Sequence, residues 1–475
     1  MRKLVNRLGR LSALVAGIVT AVCAHAADDL NQTSRLIKRG AYLATASDCV
    51  ACHTAPEGKP FAGGLAISTP LGTIYSTNIT SSKDAGIGNY TEQEFSDAVR
   101  HGIRRDGGNL YPAMPYTSYA KLTDDDVHAL YTYFTQAVTP VDKPGPKTSL
   151  PFPMNVRMSM RLWNLLFLDP KPYEADPRES VEWNRGAYLV QGAAHCGTCH
   201  TPRGFLMQEL ASQGLAGADV GPWHAPNITS DPTSGIGNWT HAELVEYLRT
   251  GRVAGKAQAG GSMGEAVEHS FQYLTTDDLN AIATYVKAVP PVHDPADDAS
   301  RFTQGKASME VVTLRGTDGV TNGDSNPTGA ELFQGNCASC HSAHGEGSKD
   351  GYYPSLFDNS VTGSRAPKNV IAAILYGVDR TTAHGQAFMP GFGGKPTDAE
   401  QLSNREVALL GSYVLQQYGG HSNAPITEQD VAQARRGGPS SNLIALARGG
   451  IVAGLIVVLL ALCLLLGRRK KVSFS

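Results

Sequence analysis

Cys49, Cys52 and His53 in CVACH are spaced as Cys196, Cys199 and His200 in CGTCH, and again as Cys337, Cys340 and His341 in CASCH. Two thiols three residues apart share one helical turn, and an imidazole follows the second directly. Zinc takes four ligands, and no second Cys or His pair at regular spacing follows any of the motifs. A redox-active disulfide of the thioredoxin kind sits between a strand and a helix, whereas these motifs follow helix-like segments and precede Gly/Pro-rich loops. Covalent haem requires this spacing, because the thiols form thioethers with the two vinyl groups and the imidazole turns onto the iron. Three covalently bound haem c groups are therefore expected, anchored by the six cysteines, with His53, His200 and His341 as proximal ligands.

The sixth position on each iron decides between a carrier and a catalyst, since a thioether raises the potential and closes the site. Nine methionines are available. Met1 starts the chain, Met154, Met158 and Met160 cluster in a linker, Met207 follows His200 too closely, and Met309 stands in another linker. Met114 lies 61 residues after His53, Met263 63 after His200, and Met389 48 after His341. One candidate per haem predicts three His/Met sites. Met263 lacks the adjacent proline of Met114 and Met389, and His269 is its reserve. No catalytic residue is assigned on this chain.

The remaining composition fits an exported carrier. Eight cysteines are present, and apart from Cys23 and Cys463 all lie in the three motifs, so none is left for a structural disulfide. Residues 1–26 read as a signal peptide: Arg2, Lys3, Arg7 and Arg10 precede an apolar run that ends in Ala24-His25-Ala26, and Cys23 leaves with it. Gly449 to Gly467 is uncharged and spans roughly 28 Å as a helix, close to the hydrocarbon thickness. Arg468, Arg469, Lys470 and Lys471 follow at once, which puts the tail, 468–475, in the cytoplasm. The body then stands at the periplasmic face of the inner membrane. A net charge of −2 gives no basic field for nucleic acid.

The elements that must position the motifs repeat along the chain. RGAYLATASDCVACHTAP from Arg39 is echoed by RGAYLVQGAAHCGTCHTP from Arg185, and STNITSSKDAGIGNYTEQEF by APNITSDPTSGIGNWTHAEL. The Asn-Ile-Thr stretches at Asn78 and Asn227 match a glycosylation acceptor, but repetition explains them better. Helices are expected before each haem motif and after each methionine, at Thr123 to Ala137, Thr275 to Val289 and Ser403 to Tyr418. Ser403 with Glu406, Thr91 with Glu94 and Thr240 with Glu243 mark capped starts. The fold expected is all-α: three tandem class I cytochrome c-like domains, 27–145, 179–292 and 326–420, with linkers 146–178 and 293–325. A juxtamembrane segment, 421–448, and one transmembrane helix, 449–467, follow. In the first linker, MSMRLWNLLFL (Met158 to Leu168) is apolar enough to lie on a membrane or line a quinone site, and packing between the first two domains is the expected use.

The run STNIT…GIGNYT…RHGIR.DG..LYPAMPY, together with AHCGTCHTPR and GSKDGYYPSL…ILYGVDRTT, resembles the three-haem cytochrome c subunits of membrane-bound sugar and alcohol dehydrogenases of acetic acid bacteria. The likeness covers almost the whole mature chain. It is strongest to the cytochrome subunit of flavin-dependent fructose dehydrogenases, with the gluconate and sorbitol enzymes next. The resemblance implies a flavin-containing dehydrogenase subunit and a small third subunit as partners, with electrons passed to ubiquinone in the membrane. Flavin is not expected on this chain, since no G-x-G-x-x-G follows a strand. The alternatives are a cytochrome subunit of a quinoprotein alcohol dehydrogenase or terminal oxidase, or a catalytic multihaem peroxidase-like enzyme.

Overall fold

The computed structural model describes residues 30–308, 327–420 and 425–472, with side chains described to residue 464. The signal peptide, Cys23 and Met309 lie outside the described residues. Each haem motif forms a short helix that follows a longer one: residues 30–46 precede Cys49–Cys52, Val181–Tyr188 precedes Gly197–His200, and Gly329–Asn336 precedes Ala338–His341. The closing helices run Asp124–Gln136, Thr276–Ala288 and Asn404–Tyr418. Their caps are Thr123, Thr275 and Ser403, whose hydroxyls accept from the backbone N–H three residues on. Capping boxes also start Glu92–Ser96 from Thr91 and His241–Thr250 from Thr240, as the sequence predicts.

In each repeat the helix before the haem motif crosses the closing helix at a glycine. A Cβ on Gly40 would fall 2.0 Å from the carbonyl oxygen of Ala129, on Gly186 1.9 Å from that of Ala281, and on Gly329 2.4 Å from that of Leu409. Backbone cannot swing aside as a flexible side chain can. Gly186→Ala is therefore expected to lower stability by about 1–3 kcal/mol despite alanine's better helix propensity, read as an earlier thermal midpoint. An unchanged midpoint would show that the helices can slide apart without loss.

The core is divided unequally. One continuous buried cluster runs from Leu43 to Phe302 and joins the first two repeats, while a second, from Leu332 to Ala434, belongs to the third. The first two repeats are tied by exchanged tyrosines. Tyr42 donates to Asp278 at 2.5 Å and accepts from the N–H of Thr275, while Tyr188 donates to Asp126 and accepts from the N–H of Thr123. Each carboxylate also holds its own repeat's arginine, Arg39 to Asp126 and Arg185 to Asp278. The tie is thus made twice with the roles reversed.

Four two-stranded antiparallel ribbons occur among the described residues, which the all-α expectation does not contain: β1–β2 (Ala66–Thr69, Gly72–Tyr75), β3–β4 (Ala218–Val220, Trp223–Ala225), β5–β6 (Arg252–Val253, Ala257–Gln258) and β7–β8 (Val378–Thr382, Gly385–Met389). Strands of two to five residues are too short for apolar alternation to mark them in sequence. The linker 146–178 also has structure, a helix over Ser159–Phe167. Its inner side packs as expected between the first two repeats, with Trp163 donating to the carbonyl of Leu206 and Asn164 donating to that of His101. Its outer side is exposed. The C-terminal helix runs Leu443–Val472, starting six residues before Gly449, and Leu443–Leu464 is long and apolar enough to cross a membrane.

Candidate haem sites

The three imidazoles are held alike. His53 Nδ1 lies 2.7 Å from the carbonyl of Thr77, His200 Nδ1 2.7 Å from that of Pro226, and His341 Nδ1 2.9 Å from that of Pro354. A carbonyl only accepts, so Nδ1 carries the proton in each ring and Nε2 keeps its lone pair. Burial lowers all three basicities, His200 to about 4, against the carbonyl bond that raises them. Neutral imidazole with a free, oriented Nε2 is the ligand form that iron takes.

A glycine makes each of these arrangements geometrically possible. Gly63, Gly217 and Gly347 donate their N–H groups to the carbonyls of His53, His200 and His341 at 2.7, 2.7 and 2.9 Å. All three have positive φ, and a Cβ would meet Thr77, Asn227 or Tyr353 backbone at 2.4, 2.9 or 2.2 Å. These glycines and the carbonyls of Thr77, Pro226 and Pro354 were not singled out from sequence. A Gly in each loop after a CxxCH was the available signal.

The thiols suit thioether formation better than thiolate chemistry. Burial pushes Cys52, Cys196 and Cys337 up to about 12 and raises Cys49 and Cys199 as well. Redox and zinc thiols are lowered instead. Among the described residues, no group of three or more His, Cys, Asp and Glu side chains is placed as a metal cage.

Buried polar atoms around the second motif fit the group as well. Trp239 Nε1 and Arg301 Nε are buried without hydrogen-bond partners. Arg301's terminal nitrogens donate to the carbonyls of Ser234 and Asn227, and burial pushes the guanidinium down to about 10. A buried cation held only by carbonyls is costly unless an anion joins it. Haem propionates are such anions, so the residues present fit haem c.

The methionines sit on three different scaffolds. Met114 lies in a turn before the helix Tyr116–Tyr119, Met263 in the first turn of the helix Gly261–His269, and Met389 at the end of β8, opposite Val378. All three are half-buried. Met114 and Met263 pack against the cluster that also takes in Cys49 and Cys196. His269 is exposed, and Met207 stands in a loop with φ of 66°.

The first two motifs face each other. The helix carrying Met263 packs on Cys49–Cys52, the Tyr119 and His195 rings meet at 5.6 Å, and both residues bond the carbonyl of Ser47. The third repeat reaches the second through buried Arg380 on β7, which donates to the carbonyl of Ala259 and, at 3.1 Å, to Gln258. Asn78 and Asn227 are buried, with their amides donating to the carbonyls of Val141 and Val292, so the repeated Asn-Ile-Thr stretches serve packing rather than glycosylation.

The Cytochrome c family model matches residues 37–137 and 327–417. The chain is 47% identical over 449 residues to the fructose dehydrogenase cytochrome subunit of Gluconobacter japonicus, covering 92% of each chain. It is 38% identical to the gluconate 2-dehydrogenase cytochrome c subunit of Pantoea cypripedii, over 89% of this chain and 94% of that one. It is also 38% identical to the cytochrome c subunit of the quinone alcohol dehydrogenase of Komagataeibacter europaeus, over 86% of each. Joined to three oriented imidazoles beside paired thiols, these likenesses establish that the chain belongs to the family of dehydrogenase cytochrome c subunits, electron-transfer proteins with covalently bound haem c.

Proposed function

We propose that the chain is the three-haem electron-transfer subunit of a membrane-bound dehydrogenase complex. It receives electrons from a flavin-containing subunit that oxidises a sugar or sugar acid, beside a small third subunit, and delivers them to membrane ubiquinone from the periplasmic face. The observation that carries the reading is the imidazole–carbonyl bond, made three times. Three cytochrome c domains, 27–145, 179–292 and 326–420, are the proposed units.

When bound, haem c supplies the one-electron couple. The polypeptide anchors it through Cys49, Cys52, Cys196, Cys199, Cys337 and Cys340. Nε2 of His53, His200 and His341 would bind the iron, and Met114, Met263 and Met389 would supply the thioether ligands. The packing of the first two motifs keeps that pair close.

Purifying the intact complex and supplying fructose, gluconate, sorbitol or ethanol in turn, with a quinone analogue, tests the reading. One of the first three is expected to reduce the haems, followed by their absorbance change, and the quinone together. Reduction by ethanol alone would assign the chain to an alcohol dehydrogenase, and reaction of the resting protein with peroxide would make it catalytic.

Met263→Ala is expected to lower the potential of one haem and to remove about a third of the methionine-to-iron absorbance. His269 faces solvent, so it cannot replace the thioether without movement of its helix end. Three unchanged potentials would make Met263 a packing residue.

A further inference from the structure

We propose that the helix Ser159–Phe167, with the segment before it, lies flat on the lipid surface beside the root of the C-terminal helix. The proposal rests on the membrane-spanning reading of that helix. Arg448 is the last charged residue before the apolar run, and its Nε donates to the carbonyl of Phe152 at 2.8 Å. Phe152 is thereby held at the level where the span begins. Ser441 N donates to the carbonyl of Pro70 at 3.2 Å, a second tie between the helix root and the body.

The two sides of the short helix differ. Inward, Trp163 is 8% exposed and Asn164 accepts from Tyr116 at 2.8 Å. Outward, Met158, Leu162, Leu165 and Leu166 stand at spacings of four, seven and eight residues, which places them on one helix face. All four are exposed, Leu165 by 80%, and Phe152 and Val156 extend the patch toward Arg448. Between Phe152 and Leu168 the only charged residues are Arg157 and Arg161. An apolar face with cationic residues and no acidic ones is the pattern of an interfacial helix, which meets acyl chains with one face and anionic headgroups at its rim.

The same segment holds the first haem site. Tyr111 donates to the carbonyl of Met154 at 3.0 Å, Arg157 donates to that of Asn109 at 2.8 Å, and Tyr116 bonds Asn164, so both sides of Met114 are fastened to it. Lipid contact therefore sets the orientation of the first haem site toward the membrane.

The test uses the full complex in vesicles of phosphatidylglycerol and phosphatidylethanolamine. A nitroxide is placed at Leu162→Cys or Leu165→Cys in a Cys463→Ser background, because the six motif cysteines are taken by haem. Haem content and substrate-driven reduction are measured on the same samples, so a failed complex is distinguished from a failed proposal. In intact complexes, collisions with lipid-dissolved oxygen are expected to exceed those with a water-soluble nickel chelate. Preference for the nickel chelate would show a solvated face, and shielding from both would show a protein covering; either result overturns the proposal.

Discussion

A chain carrying Cys337→Ala and Cys340→Ala together is expected to retain two covalent haems, against the three proposed for the unaltered protein. After denaturation and organic extraction, bound haem absorbance per polypeptide falls to about two thirds, one motif of three having been removed. The loss is expected to be selective because the third repeat has its own core, from Leu332 to Ala434, separate from the cluster shared by the first two. Cys196→Ala with Cys199→Ala gives a different result. Cys196 packs against the shared core, and the helix carrying Met263 packs on the first motif. Removing the second haem there is expected to disturb the first as well, so the absorbance falls below two thirds or the chain is degraded before maturation. Two or fewer covalent haems in the unaltered, mature protein would refute the stoichiometry outright.

Asp278→Ala is expected to separate the first two repeats. The carboxylate is 7% exposed, accepts from both Arg185 Nε and a terminal nitrogen at 2.7 and 2.8 Å, and receives the Tyr42 hydroxyl from the other repeat. Truncation leaves a half-buried guanidinium and hydroxyl without their acceptor. Loss of one partner of a buried pair costs about 3–5 kcal/mol, and the value here is expected at the low end because Arg185 is partly solvated. Burial acts to raise the Asp278 carboxyl, but Arg185 and Tyr42 outweigh it and hold it below the usual range. Its stabilisation is therefore complete above the unfolded carboxylate value near 4 and is lost as pH falls through the lower folded value. Denaturant midpoints of the wild type and Asp278→Ala are expected to differ fully at pH 7 and to converge in acid. A constant difference down to pH 2 would mean that packing, not charge, accounts for the loss.

Much of the site was legible because its determinants are short. CxxCH places two thiols and an imidazole on one turn wherever it occurs, and Thr91 with Glu94 or Ser403 with Glu406 closes a helix start through bonds three residues apart. The methionines were legible only as candidates. Their similar distances from each histidine suggested one thioether per haem but not what carries it, and the structure puts Met114 on a turn, Met263 on a helix and Met389 on a strand. The ribbons were invisible, being shorter than the window in which alternation can be read.

Sequence alone determined the haem chemistry, the threefold repetition, the capped helices and the apolar C-terminal run, each a matter of residue type at fixed local spacing. Tertiary structure decided what depends on meeting across distance. The acceptors that orient the imidazoles lie 24, 26 and 13 residues from their histidines, and the Tyr42–Asp278 bond closes over 236 residues. Asn78 and Asn227 match a glycosylation acceptor that repetition already explained better, and the fold gives the physical reason, with both residues buried and their amides donating to carbonyls of the chain. MSMRLWNLLFL carries apolar residues on both helix faces, and its composition cannot say which face is covered. Only the placement of Trp163 against Leu206, and of Phe152 against Arg448, turned one face to the protein and left the other exposed. Local bonds are encoded by neighbours in sequence, whereas burial is conferred by partners that only the fold brings together.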